Sequence, residues 1–311
     1  MILHRSDPAL AIRALRSAAP YIRMYKGKTF VVKAGGGVFG EQATTRALME
    51  QIGILHYFGV RGVLVHGGGP QLTELSAALG VPTRMVEGRR VTDEKSIDVT
   101  AMVLNGLINT RVLGICRDLN IDAVGVSGVD AGLVRAHKRK PVALGGNGEV
   151  VDYGFVGDID AVDATVLTKL LDNGLMPVVS PLSADDSGTL LNINADTVAA
   201  AIGAALGAEK LILCTGAPGI LASLDDPGSL ISYTDLRGLK RLRDLGRIAD
   251  GMLPKATAIE EALRGGVRRV HVVSYRSPEG ILGEVFTNEG TGTLIVADVN
   301  ALSPAEQQSA P

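Results

Sequence analysis

Short apolar runs that end in glycine alternate with helix-spaced segments along most of this chain. In TFVVKAGGG at 29–37, Phe30, Val31 and Val32 read as a buried strand that stops at Lys33 and three glycines. GVLVHGGGP at 62–70 repeats the form, with Val63 to Val65 as the strand and Gly67, Gly68, Gly69 and Pro70 behind it. Apolar spacing predicts a helix over 44–58 between the two units and another over 71–79 after the second. Strand, glycine loop, helix, met twice before residue 80, predicts a parallel α/β sheet.

The remaining pattern extends that sheet. Ala9, Ile12, Leu15, Ile22 and Tyr25 put a helix over 8–25, with a kink expected at Pro20. It would pack outside the core, on its own domain or against a partner subunit. In GRRVTD at 88–93, Asp93 can cap a helix that runs through Val103 and Ile108 to Leu119. IDAVGVSGVD gives a strand ending at Ser127, Gly128 and Asp130. Over 133–160, LVRAHKRK, GEVVDYG and FVGDI, broken by GGNG, predict β-hairpins lying over a site at the sheet edge. The KRK at 138–140 is their solvated tip. A helix over 164–173, the strand MPVVSPL, a hairpin closing in LLNINAD, a helix from Asp196 and a strand over 211–216 follow. Residues 222–250 read as loop and short helix with DDPGS as a turn. A helix from near Met252, strands over 267–274 and 292–298, and a disordered tail, LSPAEQQSAP, complete the chain. No Pro/Ser-rich linker divides it, so one continuous sheet in two touching lobes is expected, the second starting near Asn173.

Composition narrows the function. The chain has 311 residues, 46% hydrophobic, with a formal net charge of −2. That gives ample core and no basic excess for nucleic acid or an anionic membrane. Aromatics at 4% and no Trp argue against base-stacking surfaces. Cys116 and Cys214 form no C-x-x-C, which speaks against structural zinc and fits a reduced, cytoplasmic setting. No apolar run reaches the roughly 18 to 20 residues of a membrane span, and MILHRSDPAL lacks the form of a secretory signal.

The chemistry lies at the glycines. A strand ending in glycines exposes several backbone N–H groups, which suit an anion, and Lys33 adds a mobile positive charge. A strand followed by a tight turn, with the lysine in solvent, is the other reading. Gly67 to Gly69 stand at a second strand end before a helix, where ligands of open parallel sheets bind. Asp196, in Asn192-Ile193-Asn194-Ala195-Asp196, can cap its own helix or orient lysines. Lys255, in Gly251-Met252-Leu253-Pro254-Lys255, sits where the helix dipole disfavours a cation, so either solvent or a phosphate holds it. G-x-x-x-x-G-K-[ST], G-x-G-x-x-G after the first strand and G-x-S-x-G are absent, and the five histidines make no H-x-x-x-H pair. His66 reads as packed or bonded within its loop.

With those segments on the page, the chain resembles the amino-acid kinase family over about 20–295. VVKAGGG, VLVHGGGPQ, GRRVTD, YGFVGDI, LNINADTVAA and DGMLPKATAIEEAL occur in the family's order and spacing. The resemblance implies a three-layer αβα sandwich with a mainly parallel open sheet and a β-hairpin lid. It divides the chain into an N-terminal helix (1–25), an acyl-amino-acid lobe (26–172), an ATP lobe (173–300) and the tail (301–311). It implies transfer of a phosphoryl group from ATP, with Mg2+, to the side-chain carboxylate of N-acetyl-L-glutamate in arginine biosynthesis. Another N-acylated or carrier-bound amino acid, such as aminoadipate, is the alternative acceptor, and a silent arginine sensor is the alternative class. By position, Lys33 would bind the transferred group, Lys255 the β–γ side of ATP, and Asp196 would hold both lysines. Gly36 and Gly68 would donate N–H groups to the phosphoryl oxygens. Gly68, Gly69, Arg90 and Asn192 would bind the acceptor. Gly37, Thr215, Gly216 and Gly219 would line the phosphate or nucleotide side, and no protein metal site is implied. Two departures bear on nucleotide binding: Gly216 where an acidic residue is usual, and Ser274-Tyr275 where aspartate and glycine are common. The segment ending PYIRMYKGKTFVVK is similar to the extra helix of arginine-inhibited members, and EVFTNEGTGT to the other wall of their effector site. That implies a homo-oligomer, dimer or hexamer, with Tyr21, Glu284 and Gly290 at an arginine site.

Overall fold

The computed structural model describes residues 8–143, 150–223, 226, 228–248 and 252–301. GGNG, part of DDPGS and the tail lie outside the described residues. The chain opens with α1 (Pro8–Tyr25), which stays helical through Pro20. Then come β1 (Thr29–Ala34), a 3-10 turn at Gly36–Gly40, α2 (Gln42–Tyr57), β2 (Arg61–His66) and α3 (Gly69–Ala78). A small hairpin, β3 (Arg84–Val86) and β4 (Arg89–Val91), precedes α4 (Glu94–Ala101), whose cap is Asp93 accepting from the Ser96 N–H at 2.8 Å. The helix continues through a π segment, Met102–Asn109, into α5 (Thr110–Asp118). This 25-residue stretch is long and apolar enough, by length and composition, to cross a membrane, contrary to expectation. Half of its most apolar window is buried inside the protein, where Val103, Leu104, Ile108 and Val112 join the core.

Next are β5 (Ala123–Ser127), β6 (Val134–Lys138), β7 (Val142–Ala143), β8 (Val150–Val151), β9 (Gly157–Val162), α6 (Thr165–Asp172), β10 (Met176–Ser180), β11 (Leu182–Ala184) and β12 (Leu190–Asn192). The chain ends with α7 (Ala195–Ala205), β13 (Lys210–Thr215), β14 (Tyr233–Asp235), α8 (Leu236–Asp244), α9 (Leu253–Arg264), β15 (Arg269–Ser274), α10 (Gly280–Phe286) and β16 (Thr293–Val296). β14 falls in a stretch read as loop from sequence, because three half-buried residues carry too little pattern.

The central sheet has eight strands in the order β14-β16-β15-β13-β1-β2-β10-β5. Every neighbouring pair is parallel except β15 with β16. Alternation along β1 explains the layers. Phe30 and Val32 belong to one buried cluster, with residues of α2, α5 and α10. Val31 belongs to the other, with residues of α7, α8 and α9. By the same alternation Lys33 projects to the α7/α9 side. β10 sits between β2 and β5, among strands of the first half of the chain. The hairpins of 133–160 do more than overhang: β6 with β9, and β11 with β12, join through Ala184 and Arg135 into a second, four-stranded sheet.

Candidate active site

The C-terminal end of β1 and the starts of α7 and α9 meet at one carboxylate oxygen. Asp196 Oδ1 lies 2.9 Å from Lys33 Nζ and 2.8 Å from Lys255 Nζ. All three residues are buried, each 7–8% exposed. Local sequence makes this possible. The α7 cap is Asn194, not Asp196: its side chain accepts from the N–H groups of Asp196 (2.8 Å) and Thr197 (3.3 Å). Asp196 is thereby free to face the lysines. Lys255 follows Pro254 in the first turn of α9, and the carboxylate offsets the unfavourable dipole there.

Two cations on one anion leave this cluster with excess positive charge. Burial alone would raise the Asp196 carboxyl, but Lys33 and Lys255 outweigh it and hold it below its usual range. Burial, and then the like charge of Lys33, lower Lys255, against the pull of Asp196. Such a site is stabilised when a further anion arrives.

The two glycine loops interlock beside it. A Cβ on Gly36 would stand 2.6 Å from Pro70 Cδ and 2.8 Å from the Gly69 nitrogen. The Gln71 amide donates to the Gly36 carbonyl at 2.9 Å, and the Gly67 N–H to Ala34 at 2.8 Å. On Gly68 a Cβ would meet Ile108 Cδ1 at 2.6 Å, so glycine there lets α3 begin against the π segment. His66 is fully buried beside Asn109, and burial lowers it to about 4, so it is neutral at pH 7.

Lys33, Gly36, Gly68, Gly69, Arg90, Asn192, Asp196 and part of α9 border one open cleft of about 440 Å3, a size that suits a small ligand. The Arg90 guanidinium donates to Thr83 Oγ1 (3.0 Å), Thr73 Oγ1 (2.7 Å) and the Gly69 carbonyl (3.2 Å). Those oxygens are neutral, which leaves its charge for a ligand anion. Asn192 donates to Thr92 Oγ1 at 3.3 Å. Arg139 and Asp158 also line the cleft and pair through Arg139 Nε at 3.0 and 3.1 Å, which corrects the reading of KRK as only a solvated tip. Arg139 stands just past β6 and Asp158 near the start of β9, and no local signal in the sequence links them.

Other candidates fall outside this wall. Thr215 Oγ1 is turned onto its own loop, donating to the Ala217 carbonyl at 2.8 Å. A Cβ on Gly219 would lie 2.5 Å from Thr293 Oγ1 and 2.7 Å from Leu230 Cδ1, so close packing explains this glycine. Gly37 and Gly216 both approach Tyr275.

Tyr21, Glu284 and Gly290 are brought together elsewhere, around a second cavity of about 360 Å3. Tyr21 donates to Asn288 Oδ1 at 2.7 Å. Glu284 accepts from the Thr291 (2.6 Å) and Gly292 (2.9 Å) N–H groups and pairs with His271 Nδ1 at 2.7 Å. His271 Nε2 is in turn 2.9 Å from the buried Lys210 Nζ. Lys210 and His271 were not singled out from sequence, where both read as strand residues.

The chain is similar to known proteins over nearly its whole length. The chain is 47% identical over 296 residues to the acetylglutamate kinase of Myxococcus xanthus, covering 94% of this chain and 96% of that protein. To the acetylglutamate kinase of Symbiobacterium thermophilum it is 43% identical over 286 residues, 91% and 96% of the two chains. Among solved structures, N-acetylglutamate synthase from Neisseria gonorrhoeae with coenzyme A and N-acetyl-glutamate superposes at a TM-score of 0.80 and 28% identity, over 96% of this chain and 67% of that one. The same synthase with coenzyme A and L-arginine gives 0.78 and 28%, over 92% and 65%. Residues 28–274 match the description of the amino acid kinase family, and with relatives this similar over nearly the whole length, the chain belongs to that family.

Proposed function

We infer that this protein transfers the γ-phosphoryl group of ATP to the side-chain carboxylate of N-acetyl-L-glutamate, a step of arginine biosynthesis in the cytoplasm. The observation that carries the reading is Asp196 Oδ1 shared by Lys33 and Lys255 next to two interlocked glycine loops. The acceptor carboxylate is ionised at pH 7, so no general base is needed. The catalytic task is to hold two anions in line and neutralise the group in flight. Lys33 and the N–H groups of Gly36 and Gly68 take the phosphoryl oxygens, Lys255 takes the β–γ side, and Asp196 fixes both lysines. Gly68 and Gly69 seat the acceptor. Arg90 pairs with its α-carboxylate, and Asn192 contacts the same end. Gly37, Thr215, Gly216 and Gly219 belong to the nucleotide side, with residues 26–172 forming the acceptor lobe and 173–300 the ATP lobe. Mg2+ enters as part of the magnesium nucleotide. The donor set on the cleft, cationic and rich in N–H groups, fits a polyphosphate better than a bare cation.

The second cavity supports feedback control. The synthase that shares this fold was solved with L-arginine, and a wall with both Glu284 and Lys210 suits a ligand carrying both charges. We assign it to arginine, with Tyr21 on α1 and Gly290 in its wall. α1 exposes Leu10, Ile12 and Leu15, which supports a homo-oligomer, a dimer joined into a hexamer through this helix.

One assay tests the function: purified protein, Mg-ATP and a panel of acyl amino acids, with hydroxylamine trapping the acyl phosphate. Product with N-acetyl-L-glutamate is expected. Product only with an aminoadipate derivative would reassign the acceptor, and none with any acceptor would favour an arginine sensor.

A further inference from the structure

At the C-terminal edge of the sheet, β15, β13 and β1 lie side by side, with Ser274 opposite Thr215 and Cys214 opposite Ala34. Tyr275 follows β15 and is anchored by its N–H to the Thr215 carbonyl at 2.9 Å. Its ring then crosses β13. A Cβ on Gly216 would lie 3.6 Å from the phenol oxygen and 3.8 Å from Cε1. One on Gly37, in the first glycine loop, would lie 2.7 Å from the same oxygen. Two strand spacings, roughly 10 Å, separate β15 from β1, and this single side chain bridges them.

Neither Gly37 nor Gly216 has a positive φ, so their backbone does not demand glycine. At Gly37 the demand comes from the tyrosine, since any side chain there would push the phenol away. Among the described residues the Tyr275 hydroxyl has no hydrogen-bond partner. The Arg276 guanidinium stands 5.8 Å over the ring, exposed and 3.8 Å from the same Gly216 Cβ position. A free donor thus faces the glycine loop that follows Lys33, and a cation stands beside Gly216, just past β13.

We propose that Tyr275 and Arg276 form a phosphate clamp for the nucleotide: the phenol O–H donates to a non-bridging oxygen of the phosphate chain, and Arg276 supplies the counter-charge from the solvent side. This rests on the kinase reading and adds two residues to its nucleotide side. Both groups answer to a polyphosphate, one as a neutral donor and the other as a charge.

The test is Tyr275→Phe, which keeps the ring against Gly37 and Gly216 and removes only the hydroxyl. Calorimetric titration with Mg-ADP reads nucleotide binding without needing the acceptor's identity. A hydrogen bond to a charged oxygen predicts a Kd weakened about tenfold, a matching rise in KM for ATP, and KM for the acceptor unchanged. Arg276→Gln should weaken Mg-ADP by a smaller factor and flatten its salt dependence. Wild-type protein that binds Mg-ADP while Tyr275→Phe binds it equally well would overturn the clamp alone. Wild-type protein that binds no nucleotide would overturn the kinase reading and the clamp with it.

Discussion

Two buried lysines stand at opposite ends of neighbouring strands, and their surroundings differ in one respect. Lys33 stands one residue from the end of β1 and Lys210 begins β13. Lys210 pairs in register with Phe30, three residues or roughly 10 Å along the strand from Lys33. At the C-terminal end, two ammonium groups share one carboxylate. At the other end, Lys210 touches a histidine that burial and then Lys210 itself lower to about 4, and Glu284 closes the chain. Burial lowers Lys210 to about 7, so near neutral pH its partial charge faces the Glu284 carboxylate and the set is at most balanced, with no positive surplus. Burial is similar at both ends, so charge count distinguishes them. The surplus end suits an anion in transit, and the balanced end suits a ligand that carries both signs.

The comparison breaks most visibly at Asp196. Replacing it by Asn leaves two ammonium groups facing each other, and kcat in the hydroxylamine assay should fall at least ~100-fold. The loss should deepen as pH rises, because Lys255, already lowered by burial and Lys33, loses the partner that opposes its deprotonation. Lys33→Ala should lower kcat by a similar factor while Mg-ADP binding stays within a few-fold; near-normal turnover would remove Lys33 from the mechanism. Arg90→Ala should raise KM for the acceptor about 10- to 50-fold, the worth of a charge-assisted hydrogen bond pair, with kcat less affected. At the balanced end, Glu284→Gln should raise the arginine concentration for half-inhibition roughly tenfold and leave kcat alone. Deleting residues 1–25 should abolish that inhibition and reduce the assembly to dimers. Unchanged mass and unchanged inhibition would end the effector assignment.

The smallest effect is on stability. Asp196 is lowered in the fold, so at acid pH the unfolded chain binds its proton first, and stability falls as pH drops from about 4, the unfolded carboxyl value, through the folded one. Urea midpoints between pH 5 and 3 should fall less steeply for Asp196→Asn than for the wild type.

Much of this was legible because apolar strands advertise themselves. Val31, Val63 to Val65 and the run from Leu211 to Cys214 are buried on both faces, and glycines punctuate them. Asp196 was harder. Asn194 and Asp196 are both good caps, and only the structure shows which one accepts the helix N–H groups. Arg139 and Asp158 escaped notice because strands of a half-exposed sheet look like surface until their long-range partners are known. β14, three residues long, has no periodicity to read. Tyr275 stood out in sequence only as a departure from the family pattern; its reach across β13 to Gly37 is a tertiary fact.

The pairing of Phe30 with Lys210 also has a consequence for how the protein is made. β1 leaves the ribosome early and can pair at once with β2, but its other neighbour is synthesised most of a chain later. Lys33 then waits for Asp196, and both wait for Lys255. Contacts of such sequence separation form slowly, and the charge cluster cannot close until α9 has been made. A nascent or truncated chain can hold both glycine loops and still have no means of moving a phosphoryl group.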